Sequence, residues 1–148
     1  MSSINNRISP IEILANGMAA ARMRVNTLAS NIANAETTRT ADGGPYKRRD
    51  VVQVAKPIPG SFSSALDRLS MQKPVVTAVV EDQAPPRMVH SPGHPDADKN
   101  GFVAYPNINV VQTMTDLLSA SRLYQANVTA VETARNLQSE ASKILTQA

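Results

Sequence analysis

Residues 28–38 read "LASNIANAETT". The stretch has the apolar spacing of a helix end, yet its polar positions are amides and hydroxyls instead of Glu and Lys. A solvated helix face is ordinarily charged, because charges keep exposed helices soluble and apart. Thr27, Ser30, Asn31 and Asn34 share one side of the predicted helix and sit beside alanines. Uncharged amides next to small residues predict a face that touches another chain.

Upstream, four start signals coincide. Ser9 is a favourable N-cap, Pro10 falls at the first helical position, Glu12 completes a capping box, and Ile8 and Ile13 occupy the two positions of a hydrophobic staple. From there Ile11, Leu14, Met18, Ala21, Val25, Leu28 and Ile32 recur at alternating spacings of three and four. That is the seam of a coiled coil, and it predicts a helix from Pro10 to near Asn34, about 37 Å long. Ala15, Ala19, Ala29 and Ala33 form a second stripe, interrupted by Arg22 and Asn26.

The other end of the chain mirrors the first. Pro106 breaks what precedes it, and Asn109 is a candidate N-cap with Gln112 three residues on. Val110, Met114, Leu117, Ser121, Tyr124, Val128 and Val131 then follow heptad spacing, and no Pro or Gly occurs from Val110 onward. Arg135 falls where the seam would continue. A second stripe replaces it on nearly the opposite side: Leu123, Ala130, Ala134, Leu137, Ala141 and Ile144. The first stripe is expected to pair with the amino-terminal helix, and the second to meet other subunits.

Between the two helices the polymer changes character. Ten Pro and six Gly lie almost wholly in this middle region. "VVQVA" (51–55), "PVVTAVVE" (74–81), "RMVH" (87–90) and "GFVAY" (101–105) read as short strands separated by Pro- and Gly-bearing turns, with either a short helical turn or a mobile linker expected over Ser64–Met71. The expected architecture is α+β: long paired terminal helices, coiled-coil-like, around a small β-rich insert. Its divisions are 1–38, 39–108 and 109–148.

Composition narrows the functional classes. The chain has 148 residues, a net charge of +3, no Trp and no Cys. Scattered positive charge is unlike the dense basic stripe of a nucleic-acid binder, so no nucleic-acid partner is expected. Absent Cys removes disulfides, zinc fingers and thiol catalysis. The amino terminus lacks the pattern of a cleaved secretory signal, and no apolar run of 18 or more residues exists.

Three stretches invite a chemical reading. Asp96, Asp98, Asn100 and Gly101 imitate the first half of a calcium loop, but Asn107 stands where a bidentate Glu is needed; the competing reading is a polar turn between strands. His90 and His94 are separated by Pro92 and Gly93, which exclude a shared helical face. "YKRRD" (46–50) suits a solvated strand edge better than a phosphate site. With no nucleophile elbow, phosphate loop or paired acid and base, neither an enzyme nor a cofactor or small-molecule substrate is expected.

"LASNIANAETTRTADGGPYKRRDVV" resembles the signature of the bacterial flagellar basal-body rod protein family, in which a helix ending Ser-Asn-x-Ala-Asn precedes a Thr-bearing turn and an aromatic residue. Ser30, Asn31, Ala33, Asn34 and Thr37 carry that motif here. The run from "VVEDQAPPRMVH" through "SRLYQANVTAVE" is similar to the pattern of the family's proximal-rod members. The resemblance implies a structural subunit, exported through the flagellar type III apparatus with an uncleaved signal and assembled into a rod crossing the periplasm. The implied partners are further copies, other rod proteins (FlgB, FlgF, FlgG, FliE) and the export apparatus. The rival class is a cytoplasmic coiled-coil adaptor or export chaperone.

Energetics adds one expectation. Burying the seven amino-terminal seam residues stabilises by about 10 kcal/mol. Ordering about 25 residues costs at least as much. The terminal helices are therefore expected to be largely mobile in a free subunit and to fold on incorporation.

Overall fold

The computed structural model describes residues 10–57 and 72–147. The Ser9 cap, the Ile8 staple and the Ser64–Met71 turn lie outside the described residues. The element order is α1 (Pro10–Ala33), β1 (Arg49–Pro57), β2 (Gln72–Glu81), β3 (Arg87–His90), β4 (Phe102–Tyr105) and α2 (Val110–Gln147). Two helices thus enclose a small antiparallel β region. At ~1.5 Å per residue, α1 is about 36 Å long and α2 about 57 Å.

The strands form two separate antiparallel pairs, β1 with β2 and β3 with β4. A register shift between Val52 and Gln53 bends the longer pair. A lone hairpin is marginal in water, and each of these has support. The β1–β2 hairpin lies along α1. It is tied at one end by Lys73 to Glu12 at 3.4 Å and at the other by Asn31 to Arg49.

The helices run antiparallel. A β-carbon added at Gly17 would lie 3.6 Å from Asn127 Nδ2, while Leu28 and Asp116 border one shared cavity. On α1 the expected seam residues are all buried or half-buried, with Ala21 and Leu28 the deepest. On α2 the seam is rotated from the expected line. Thr113, Ala120 and Val131 are the buried residues, whereas Val110 and Met114 are exposed. Leu117, Ser121, Tyr124 and Val128 are half-buried. Size accounts for the rotation: small Ala120 and Thr113 can face the bulk of α1 at close range, and large side chains opposite would not interdigitate.

The start of α2 follows its sequence signals. Asn109 Oδ1 accepts the Gln112 backbone N–H at 3.1 Å, satisfying one of the donors a helix start leaves open. No described helix is long and apolar enough to cross a membrane.

The loop from Ser91 to Gly101 is a polar turn joining β3 and β4. Asp98 Oδ1 accepts backbone N–H groups of Asn100 and Phe102, each at 2.8 Å. Asp96 instead holds Thr38 at 2.8 Å and Arg39 at 3.6 Å, binding the loop to the segment after α1. His94 Nδ1 accepts the Asp96 N–H, and His90 packs edge-on against Phe102. No three His, Cys, Asp or Glu side chains group as metal ligands among the described residues.

Gly101 sets this turn, with φ at +77° and the sites of its missing β-carbon 3.1 Å from both His90 Nε2 and Pro92 Cβ. Gly101→Ala is expected to destabilise by about 1–2 kcal/mol in urea unfolding, from the left-handed backbone alone. Gly93→Ala, with nothing within 4 Å, should stay within about 0.5 kcal/mol of the parent. Equal effects from the two substitutions would refute this account of the turn.

Candidate assembly surface

The amide face of α1 answers to the chain's own insert. Asn31 is 1% exposed, and its side chain works as a short piece of strand edge. Asn31 Nδ2 donates to the Arg49 carbonyl at 2.7 Å, and Asn31 Oδ1 accepts the Arg49 N–H at 2.9 Å. The Tyr46 hydroxyl donates to the same Oδ1 at 3.1 Å. Glu, with no donor, and Lys, with no acceptor, could not serve both backbone groups. Thr27 is likewise buried, beside β1.

The remaining motif residues finish the helix and aim the chain into β1. Asn34 Nδ2 donates to the Ser30 carbonyl at 2.9 Å, and Thr37 Oγ1 donates to Asn34 Oδ1 at 3.2 Å. Ser30 Oγ lies 3.4 Å from the Tyr46 hydroxyl. The Tyr46 N–H reaches back to the Thr37 carbonyl at 3.0 Å. Ala33 is exposed. The expectation that this whole face meets another chain is therefore corrected for Asn31 and Thr27: both are consumed inside the subunit.

The basic run beside the clasp is tied into the hairpin base. Arg48 pairs with Asp50 at 2.7 Å and Asp82 at 3.5 Å, and Arg49 pairs with Glu81 at 3.1 Å. Arg49 also lies over the Tyr46 ring, 5.6 Å from its centroid. These are part-exposed pairs whose individual contributions are small. They orient the first residues of β1.

What α1 and the hairpin leave uncovered lies elsewhere. Val111, Met114 and Leu118 are exposed near the start of α2. Every residue from Arg135 to Ile144 is exposed, and in that span Leu137 and Ile144 each keep 67% of their surface. Extending the Gly17–Asn127 pairing by seven residues in each direction places Pro10 near Ala134. Beyond Ala134, α2 overhangs the described end of α1. The expected seam stops at Arg135 for the same reason. Of the second stripe, Ala130 and Ala134 are half-buried, while Leu123, Leu137, Ala141 and Ile144 are exposed.

Asn31→Ala is expected to lower unfolding stability by about 3 kcal/mol, because it removes three hydrogen bonds at a buried site, two from the Arg49 backbone and one from the Tyr46 hydroxyl, which keeps only its longer contact with Ser30. Asn31→Asp keeps the acceptor and loses the donor, so its loss should be intermediate. Urea unfolding followed by hairpin-sensitive amide signals measures both; a loss under about 1 kcal/mol for Asn31→Ala would contradict the clasp.

Residues 11–39 match the family model described as "Flagella basal body rod protein", and residues 99–144 match "Flagellar basal body rod FlgEFG protein C-terminal". The chain is 37% identical over 146 residues to the flagellar basal-body rod protein FlgC of Borreliella burgdorferi, covering 93% of this chain and 96% of that protein. It is 38% identical to FlgC of Salmonella typhimurium, covering 85% and 88%. With FlgC of Bacillus subtilis it shares 33% identity, covering 90% and 95%. The chain belongs to the flagellar basal-body rod protein family and is FlgC-like.

Proposed function

We propose that this chain is a structural subunit of the proximal flagellar rod, exported by the flagellar type III apparatus without a cleaved signal and polymerised through its terminal helices in the periplasm. The structural role in the basal-body rod, and with it flagellar motility, follows from the family. Other rod components are its partners. The finer reading is carried by one observation, the apolar overhang of α2. Among the described residues nothing covers Leu137 and Ile144, and exposed leucine and isoleucine at helical spacing are what association covers.

Incorporation supplies what the isolated subunit lacks. Most of the stability of a long helix comes from packing its apolar side, and the overhang packs against nothing among the described residues. The overhang of α2 becomes fully ordered only when neighbours cover it. Such a subunit is thin enough to pass an export channel and does not polymerise before delivery.

Two measurements test this reading. Amide exchange on dilute subunit should be fast along α2 beyond Ala134, and slow exchange there would overturn coupled folding and assembly. The double variant Leu137→Asp plus Ile144→Asp should be exported at the parental level yet build no rods, leaving cells non-motile. Normal basal bodies containing the double variant would overturn the role of the overhang.

A further inference from the structure

We propose that the overhang of α2 docks into the α1–α2 groove of a second copy, on the side turned away from the β1–β2 hairpin. The inference rests on the rod-subunit reading and specifies the contact by which two copies meet. The groove is open, about 380 Å³, and is lined by Arg22, Val25, Ser121, Tyr124 and Gln125. At ~100° per residue, Val25 stands about 160° around α1 from Thr27, the residue that faces β1. The hairpin therefore closes one side of the helix pair and leaves this one open.

The shape of the groove favours the overhang as its occupant. Its floor is Val25, Ser121 and Tyr124, all half-buried and uncharged, with small Ser121 leaving room between the larger two. Leu137, Ala141 and Ile144 present a narrow apolar ridge at spacings of four and three, about 10 Å long. A ridge with a small residue at its centre fits between two helices as a third helix would. Charge does not oppose the fit: Arg22 stands on the lip of the groove, and the ridge is flanked by Glu140 and Lys143, paired with each other at 3.0 Å.

The ridge cannot reach the groove of its own molecule. Ser121 and Leu137 lie on one continuous helix, 16 residues and about 24 Å apart. Groove and ridge must therefore belong to different copies. Because they are unlike surfaces at separate positions, their contact is head-to-tail and repeats from copy to copy, building an open filament wherever the rotation does not close a ring. That is the geometry an open-ended tube requires.

The absence of Cys from the chain makes cross-linking a clean test. Purified Ser121→Cys and Leu137→Cys subunits, mixed at high concentration under mild oxidation, should give a mixed disulfide dimer. Its yield should exceed by about tenfold that of Leu137→Cys mixed with Val79→Cys on the hairpin, as a docking preference near 1.4 kcal/mol gives. Adding Ile144→Asp to the Leu137→Cys chain should remove the difference. Equal yields from the two mixtures, or no dimer in either, overturn the groove assignment. If the double Asp variant abolishes rods while residues 121 and 137 fail to cross-link, the rod reading stands and the groove falls. If the cross-link forms in a chain that basal bodies lack, the groove stands and the rod reading falls.

Discussion

The subunit is organised by a single buried amide. Asn31 offers one donor and one acceptor in the geometry of a backbone peptide, and Arg49 receives both. Asn31 is buried, and a buried polar side chain left unpaired costs about 1–3 kcal/mol, so the hairpin can leave α1 only by giving up a matched set of bonds. Tyr46 closes the set by donating to the same oxygen. From this point the hairpin is directed back along α1 towards Glu12 and Lys73. That placement commits one side of the helix. The α2 contact takes another, and the faces left over are those available to neighbours.

Element identity was legible in the sequence because each element carried independent signals. Pro10, Glu12 and the three-four spacing announced α1; Asn109 announced α2; β-branched runs between Pro and Gly turns announced four strands, and these are the strands observed. The turn chemistry of Asp98, Asn100 and Gly101 was equally readable, since an Asp two residues before an Asn-Gly pair satisfies local N–H groups without a cation.

The purpose of the amide face was less legible. Composition indicated contact, but periodicity says only that a face is covered and never by what. A signal was nonetheless present: an aromatic hydroxyl and a strand start lie within twenty residues of Asn31, close enough for the chain to turn back on it. The rotated α2 seam was hidden for a different reason. Hydrophobicity ranks Val110 and Met114 above Thr113 and Ala120, whereas close helix contact ranks them by size. Thr113 also returns its hydroxyl to the Asn109 carbonyl at 2.7 Å, so its burial leaves no polar group unpaired.

The difference in length between the helices links this internal arrangement to assembly. Both helices could have ended together, which would have given a closed hairpin of helices with every seam residue satisfied at home. Instead α2 continues past Ala134 with its apolar residues moved to a new side. An overhang without a stripe would be a frayed end, and a stripe without an overhang would pack against α1. Only the combination leaves a surface that nothing among the described residues covers. The clasp at Asn31 supports the same outcome from the other end, because it holds the insert against one side of α1 and keeps it off the face where a neighbour would lie. A clasped insert at one end and uncovered apolar surface at the other give the described subunit two unlike ends, and contacts between unlike surfaces are head-to-tail.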